Sequence, residues 1–387
     1  MRRPAGYHNY SRRARLLAWG IDRAAWPLAP LLRLAAPRGT AADPPRSILV
    51  VRLDHLGDVL MTTPAIGALR RAYPAARIDL LAAGWGRAAA EGNGNIDRII
   101  EAVAPWYDPR RGEPASPADL LGKMAQLRGA PYDWAFDMRG DPRVILLYLL
   151  PAARRRFGFA GLGLERLLTD SLPYDRRRPP LDLALDLVRL ATGAGAEPPR
   201  RPTFEVSETA RNNASRLLAE SGLGSGARFA VLAPGSNRPN NQWGHERFAL
   251  LGDGLEQAGL RVVLSGRPAD AAGTGAVSGL LRRAPVDLTG RMQFGDLAAL
   301  LERAALLACN DSGACHLAAA VGCPTVAIFG PSDPALTFPY TDDRRFRSLA
   351  APIDHPRPCF DLGCASDHGY PRVTPAEVLA ACLEVAR

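Results

Sequence analysis

The stretch SILVVRLDHLGDVLMTTPAIGALRRAYPAARIDLLAA, residues 47–83, decides how the N-terminal half of this chain is read. Ile48 to Val51 is an uninterrupted run of aliphatic and β-branched residues, the composition of a strand buried on both faces. A short turn centred on Gly57 follows. "PAIGALRRAYP" then reads as a helix and "RIDLLAA" as a second strand. Strand, helix and strand joined so closely form a βαβ unit with parallel strands. Asp58, directly after Gly57, falls where the first strand delivers the chain into the helix. An acid there has two readings. It can satisfy free amides at a helix N-terminus, worth roughly 0.5–2 kcal/mol, or it can carry chemistry at a strand end.

The alternation continues outward. "IDRIIEA" is compatible with a strand, "PADLLGKMAQLRGA" with a helix, "YDWAFDM" with a strand, and "RVILLYLLPAARRRFGF" with a helix followed by a turn. The proline- and arginine-rich stretch 173–206 holds one amphipathic helix and reads as the connection between domains. Beyond it the pattern restarts. Helices are read at "ETARNNASRLLAESGL", "HERFALLGDGLEQAG", "ADAAGTGAVSGLLRRA", "FGDLAALLERA" and "GACHLAAAVG", with strands "RFAVLAPG", "RVVLSG", "VDLTG", "ALLACN" and "PTVAIFG" between them, and "TPAEVLAACLEVA" closes the chain. The expected class is α/β, with two successive doubly wound halves. The expected organisation is an N-terminal extension at 1–46, a first domain at 47–190, a linker at 191–207, a second domain at 208–350, and a tail with a helix at 351–387. A length of 387 residues suits two domains.

Apolar residues make up 47% and charged residues 22%, ordinary for a globular protein with sizeable cores. The net charge of +9 is carried almost wholly by arginine and favours acidic partners: nucleotides, phosphorylated glycolipids or anionic membrane. No recognisable nucleic-acid module is present, so nucleic acid is not an expected partner. No run of eighteen or more apolar residues occurs, so a spanning helix is not expected. The basic amphipathic extension "YSRRARLLAWGIDRAAWPLAPLLRLAAPR" mixes arginines with tryptophans and leucines. It suits the headgroup zone of an anionic bilayer or a helix packed on its own domain, and both readings stand. A signal peptide is disfavoured. The expected location is the cytoplasm, with peripheral contact at the inner face of the membrane. The six cysteines lie only in the second half, three of them in segments read as buried, so no disulfide framework is expected. Cys359 and Cys364 could pair or hold a metal. With no CxxC spacing and no second ligand pair, no metal site is expected.

The most specific pattern is "LLACNDSGACHLAAAVGCPTVAIFGPSDP" at 306–334. A strand ends at Asn310, and Asp311, Ser312 and Gly313 turn the chain into a helix whose first amides have no intrahelical partners. Those amides and the helix dipole suit a diphosphate, with Gly313 allowing close approach and His316 near the same end. Asp311 or Ser312 can equally be a plain helix cap. A second loop, "APGSNRPNNQWGHERF", again leaves a strand for a helix, with Gly235, Ser236, Asn237 and Arg238 at the strand end where α/β sheets bind ligands. Trp243 reads as a packing residue. Asp270 in "SGRPAD" is placed either to accept ribose hydroxyls or to cap a helix.

These segments resemble glycosyltransferase family 9, the heptosyltransferases of the lipopolysaccharide inner core. The matching pieces are "VRLDHLGDVLMTTPAIGALRRAYP", "FDMRGDPRVILL…ARRRFGF", "APGSNRPNNQWGHERFALL", the block from Asp287 to Pro334, and "PRPC". The resemblance runs from about Ser47 to the C-terminus. It implies a GT-B architecture: two Rossmann-like doubly wound domains facing a cleft, acceptor on the first and nucleotide sugar on the second. It also implies an ADP-heptose donor, transfer with inversion, and no metal or other cofactor. Carried onto this sequence, the catalytic aspartate is Asp58. The donor contacts are Ser236, Asn237, Asp311, Ser312, Gly313 and His316, with Met292 beside the adenine. Many members have a lysine two residues before the tryptophan of the second loop; here that position is Asn241. Arg238 or an arginine from elsewhere is an expected substitute for the missing cation, a different donor being the alternative.

In this reading Asp58 removes the acceptor hydroxyl's proton while the sugar–phosphate bond breaks, and the amides beside Ser312 receive the departing diphosphate. Arg52, His55, Gly57 and Arg139 are the expected acceptor contacts. Arg143 and the run Arg154–Arg156 are weaker candidates for acceptor phosphates, solvated surface arginines being the default for the run. The partners expected are a nucleotide-sugar donor and a phosphorylated glycolipid or glycan acceptor. Two alternatives accompany this reading: a nucleotide-sugar epimerase of the same architecture, and a non-catalytic nucleotide-sugar-binding relative.

Overall fold

The structure is a computed structural model, described for residues 27, 29–31, 36, 37, 42–102, 117–193, 200–224, 226–236, 239–338, 344–359, 364 and 366–386. Most of the extension at 1–46 lies outside the described residues, as do Asn237, Arg238 and residues 194–199 of the expected linker. The chain divides into two compact units, Met1–Arg200 and Arg201–Arg387.

In the first unit, β1 (Ser47–Arg52), β2 (Arg77–Ala82), β3 (Arg98–Glu101), β4 (Tyr132–Asp137), β5 (Ala153–Ala160) and β6 (Asp170–Pro173) form one parallel sheet in the order β3-β2-β1-β4-β5-β6. Helices α1 (Leu56–Ala72), α2 (Pro117–Gly129) and α3 (Pro180–Thr192) are its principal helices. The sheet is parallel because each strand is followed by a crossover. Its central strands are buried throughout: Ile48 to Val51 and all six residues of β4 are shielded from solvent. The order reverses between β1 and β4, so their carboxyl ends diverge and leave a crevice at the switch point.

One reading changes. The segment "ARRRFGFA", expected as a turn, is strand β5. Three consecutive arginines are tolerated because their long stems lie along apolar surface while the heads find partners. Arg155 lies 5.0 Å from the Trp134 ring and 4.8 Å from that of Phe157, and pairs bidentately with Asp170. Arg156 is buried and donates to the carbonyls of Ala153, Arg154 and Leu167. Neither is a solvated surface arginine. Beneath them Phe136 and Phe157 stack with centroids 4.5 Å apart, an arrangement worth about 0.5–1.5 kcal/mol beyond its buried area.

The second unit repeats the plan. Strands β7 (Phe229–Ala233), β8 (Arg261–Leu264), β9 (Val286–Asp287), β10 (Leu306–Asn310), β11 (Thr325–Ile328) and β12 (Phe346–Leu349) are ordered β12-β11-β10-β7-β8-β9, again parallel. Helices α4 (Glu208–Glu220), α5 (His245–Gln257), α6 (Ala271–Leu280), α7 (Phe294–Arg303), α8 (Gly313–Val321) and α9 (Pro375–Val385) complete it. α9, expected in a separate tail, inserts Val378, Ala381, Cys382 and Val385 into this unit's core. Trp243 is fully buried, edge-on to Phe248, and its indole N–H donates to the Val373 carbonyl at 2.8 Å. It is a packing residue, as its sequence context indicates. Here the switch point falls between β7 and β10.

The loop leaving β4 is shaped by Gly140, whose φ of +84° is left-handed and whose Cβ position lies 2.3 Å from Leu162 Cδ1. Gly161 has nearly the same φ, +85°, but nothing within 4 Å of its Cβ position. Gly140→Ala is expected to destabilise the first unit by on the order of 3 kcal/mol, and Gly161→Ala by only about 1 kcal/mol. Denaturant titration of the two variants checks the difference; equal losses contradict the steric account.

Candidate active site

At the first switch point, β1 ends in Arg52 and β4 in Asp137. Asp137 is fully buried and folds the following loop. Its carboxylate accepts the amides of Arg139 at 3.0 Å, Gly140 at 3.1 Å and Asp141 at 2.7 Å. Burial pushes its pKa up to about 6, an effect reduced by those amide bonds and reinforced by the charge of Asp141.

Arg52 is the organising group. Its Nε pairs with Asp54 Oδ1 at 2.6 Å, Nη1 donates to the Met138 carbonyl at 2.5 Å, and Nη2 reaches Asp58 Oδ1 at 3.1 Å. The other oxygen of Asp54 pairs with Arg139 Nη1 at 2.6 Å. Asp58 Oδ2 accepts the His55 amide at 3.2 Å, so the acid does cap α1. It nevertheless keeps 23% of its side chain in contact with solvent. The two readings of Asp58 are therefore compatible: the carboxylate caps the helix and still keeps part of its surface exposed. Gly57 is buried in the first turn of α1, and His55 is exposed beside it. Arg52, expected to touch acceptor, is instead buried and engaged by Asp54, Asp58 and Met138. Its role is to orient Asp58. Arg139, also engaged by Asp54, keeps 32% of its side chain exposed.

At the second switch point, Asn310 closes β10 and ties both loops together. Its Nδ2 donates to the Pro234 carbonyl at 2.6 Å and its Oδ1 accepts the Trp243 amide at 3.0 Å. Ser312 occupies the N-cap of α8 yet makes no side-chain cap bond, so its hydroxyl is not committed to the helix. No atom lies within 4 Å of a Cβ built on Gly313, which leaves open space against the first turn. His316, one turn further on, is buried; Asp311, Ser236 and Met292 are half-buried in their loops.

Two donor expectations are corrected. Asn241 is buried and spends both ends of its amide inside the protein: Nδ2 donates to the Asp311 carbonyl at 2.8 Å, and Oδ1 accepts the Tyr370 hydroxyl at 2.8 Å. It braces the turn into α8. Asp270 accepts the Arg267 amide at 2.8 Å and pairs with the Arg267 guanidinium, so the capping reading is realised. Its carboxyl also lies against Gly235. Arg143 pairs with Asp141 at 2.8 Å. Asp54, Asp137, Asn310 and Tyr370 are the groups that sequence reasoning missed. The available signal was a polar residue ending or directly following an apolar strand, as in "WAFDM" and "LLACN". A further cluster, of His355, Cys359, Cys364 and His368, also comes together in space.

Two six-stranded Rossmann-like units, each with its polar groups at the carboxyl ends of the central strands, are those of a GT-B glycosyltransferase. The family model described as glycosyltransferase family 9 (heptosyltransferase) matches residues 122–368, and the chain belongs to that family. Lipopolysaccharide heptosyltransferase 2 of Salmonella typhimurium is 28% identical over 311 residues, 77% of this chain and 86% of its own length. The crystal structure of a family 9 glycosyltransferase from Veillonella parvula matches at a TM-score of 0.70 and 26% identity, covering 79% of this chain and 85% of that one. The ADP-heptose lipopolysaccharide heptosyltransferase II of E. coli shares the fold at a TM-score of 0.71 and 22% identity, over 88% and 98% of the two chains. The enzyme is a glycosyltransferase; the epimerase and non-catalytic readings are not favoured. Among the described residues no helix is long and apolar enough to cross a membrane.

Removing Arg52 leaves buried Asp54 with Arg139 alone and releases Asp58. Arg52→Met is expected to lower stability by on the order of 3 kcal/mol. Tyr370→Phe, which deprives the Asn241 carbonyl of its donor, is expected to cost about 1 kcal/mol. Equilibrium unfolding checks both, and an Arg52→Met protein as stable as the parent contradicts the bracing role.

Proposed function

We propose that this enzyme moves a heptose, or a closely related sugar, from an ADP-sugar to a lipopolysaccharide-core or other envelope-glycan acceptor, with inversion and with no metal ion in the chemical step. The observation that carries this reading is the Asp58 carboxylate, held by buried Arg52 at the end of a central strand while 23% of its side chain stays exposed. An acceptor hydroxyl hydrogen-bonded to that carboxylate loses its proton to Asp58 as its oxygen attacks the anomeric carbon. The bond from that carbon to the diphosphate oxygen breaks on the opposite face, which inverts the configuration. ADP takes up the negative charge. The amides opening α8, together with the Ser312 hydroxyl, receive it in this reading.

The names of the relatives support the donor and acceptor classes: one is a lipopolysaccharide heptosyltransferase, and another carries ADP-heptose in its title. Asn241 stands where many family members have a lysine. Its amide braces Asp311 instead of supplying charge, so neutralisation of the leaving group falls more heavily on the α8 terminus. Arg139 and His55 contact the acceptor, and the arginine-rich composition suits a phosphorylated one. The enzyme works at the cytoplasmic face of the inner membrane, with the basic extension at 1–46 as its peripheral contact.

Asp58→Asn keeps the acceptor for the His55 amide, so the fold is expected to survive while transfer falls by roughly 10²–10⁴-fold. Transfer from an ADP-sugar by a variant of unchanged melting temperature is the measurement; full activity removes the mechanism. Gly313→Val fills space that no protein atom occupies. It is expected to weaken ADP binding more than about tenfold, roughly 1.4 kcal/mol, with unchanged stability. Calorimetric titration with ADP that shows parental affinity rejects the diphosphate site.

A further inference from the structure

The segment from Ala351 to Gly369 contains no helix or strand among its described residues, yet it is closely held. Arg357 donates to the carbonyls of Gly330 at 2.6 Å and Ala351 at 2.8 Å, and the Cys359 amide to that of Pro331 at 2.8 Å. Within it, one ligand atom from each of His355, Cys359, Cys364 and His368 lies within 4.8 Å of all the others. No disulfide joins any two of the six cysteines, all of which are described. Cys315, Cys323 and Cys382 are buried in the second unit, where contact with Cys309 and then burial push the Cys315 thiol up and burial pushes up those of Cys323 and Cys382. Cys359 and Cys364 are different: half-buried, and turned toward two imidazoles.

We propose that His355, Cys359, Cys364 and His368 form a structural site for a tetrahedral divalent transition metal, with zinc the ion its ligands select. Two thiolates and two imidazoles are a donor set of closed structural zinc sites, and softer than the oxygen sets that hold magnesium or calcium. The spacing, His-x₃-Cys-x₄-Cys-x₃-His, supplies the second ligand pair that a search for CxxC overlooks. The Cys364 sulfur is 3.6 Å from His355 Nε2, against about 3.5 Å for the edge of a tetrahedron with ordinary zinc–sulfur and zinc–nitrogen bonds. With Nε2 as ligand, His355 Nδ1 carries the proton and faces the Pro356 carbonyl at 3.3 Å. That outer bond is the kind that fixes a metal-binding imidazole. His368 is buried, and its Nε2 has no hydrogen-bond partner. A buried imidazole nitrogen left unsatisfied is costly unless something binds it. Asp354 reaches within 4.0 Å of His355 Nε2, but it is largely exposed and offers at most a weak ion pair.

The site's task follows from what the segment carries. Two residues beyond His368, the Tyr370 ring packs so tightly on Gly330 that an added Cβ would lie 2.2 Å from it, and its hydroxyl holds Asn241 against Asp311. A metal closing the loop therefore clamps the brace behind the α8 turn. Only this last step rests on the proposed nucleotide site; metal binding itself does not.

The test is metal analysis of the full-length protein, purified under reducing conditions without a metal-affinity tag. About one equivalent of zinc per chain is expected, falling below about a tenth in Cys364→Ser and His368→Ala and unchanged in His245→Gln. One equivalent of iron lost in the same variants also supports the site, with a different ion. Should those variants fail to fold, the wild-type protein still decides. After chelator treatment, added Co²⁺ is expected to give sulfur-to-cobalt charge-transfer absorption and to raise the melting temperature. Wild-type protein that holds no metal and gives no such absorption overturns the proposal, as does a Cys359–Cys364 disulfide under those conditions. ADP affinity, measured on the same samples, reports separately on the nucleotide site.

Discussion

A single buried guanidinium organises the first unit. Arg52 ends the central strand β1, leaves almost no surface in water, and meets Asp54, Asp58 and the Met138 carbonyl at once. A buried ion network taken as a whole adds little net stability over apolar groups of the same volume, because desolvation offsets most of the attraction, although removing one member alone strands the others. What it provides is position. The Met138 contact ties β1 to the loop after β4, Asp54 passes the link to Arg139, and Asp58 is left with one restrained orientation. The rest of the proposed chemistry depends on that restraint, since a base free to rotate spends little time where an attacking hydroxyl needs it.

The second unit solves the same problem with neutral groups. Asn310 bridges the loops after β7 and β10, while Asn241 and Tyr370 support the turn from behind. Amides suit this place better than charges. A fixed carboxylate would repel an incoming diphosphate, whereas neutral braces leave the helix terminus as the dominant field. Asn241, which from sequence alone looks like the loss of a phosphate contact, reinforces the turn into α8 through Asp311 and Tyr370.

Much of this was legible in the sequence. The buried parallel strands announced themselves through apolar runs such as "ILVV" and "YDWAFD", and glycine-containing turns after them marked the ligand-binding edge. β5 was hidden because arginines that cover aromatic rings look like solvated residues to any polarity count. β6 and β12 were hidden because they are half-exposed edge strands, DSLP and FRSL, without the apolar run that marks the buried ones. Asp58 stood out because an acid at a strand-to-helix joint has few uses. Arg52 and Asp54 lie close to it along the chain, but the contacts that fix them, with the Met138 carbonyl and Arg139, come from the loop after another strand, which spacing along the chain does not encode. The histidine–cysteine cluster escaped for a related reason: its ligands are distributed over fourteen positions, 355–368, and only the folded loop brings them into one shell.

Central to the account is the transfer of the acceptor's proton to Asp58. The most direct measurement is the pH dependence of kcat/KM for acceptor in the wild-type enzyme and in Asp58→Asn. Ionisation of Asp58 predicts that wild-type activity falls at acid pH as the carboxylate takes up a proton, and that the residual activity of the variant lacks this limb. An acid limb of the same position and depth in both proteins would contradict it, and would assign the proton to another group.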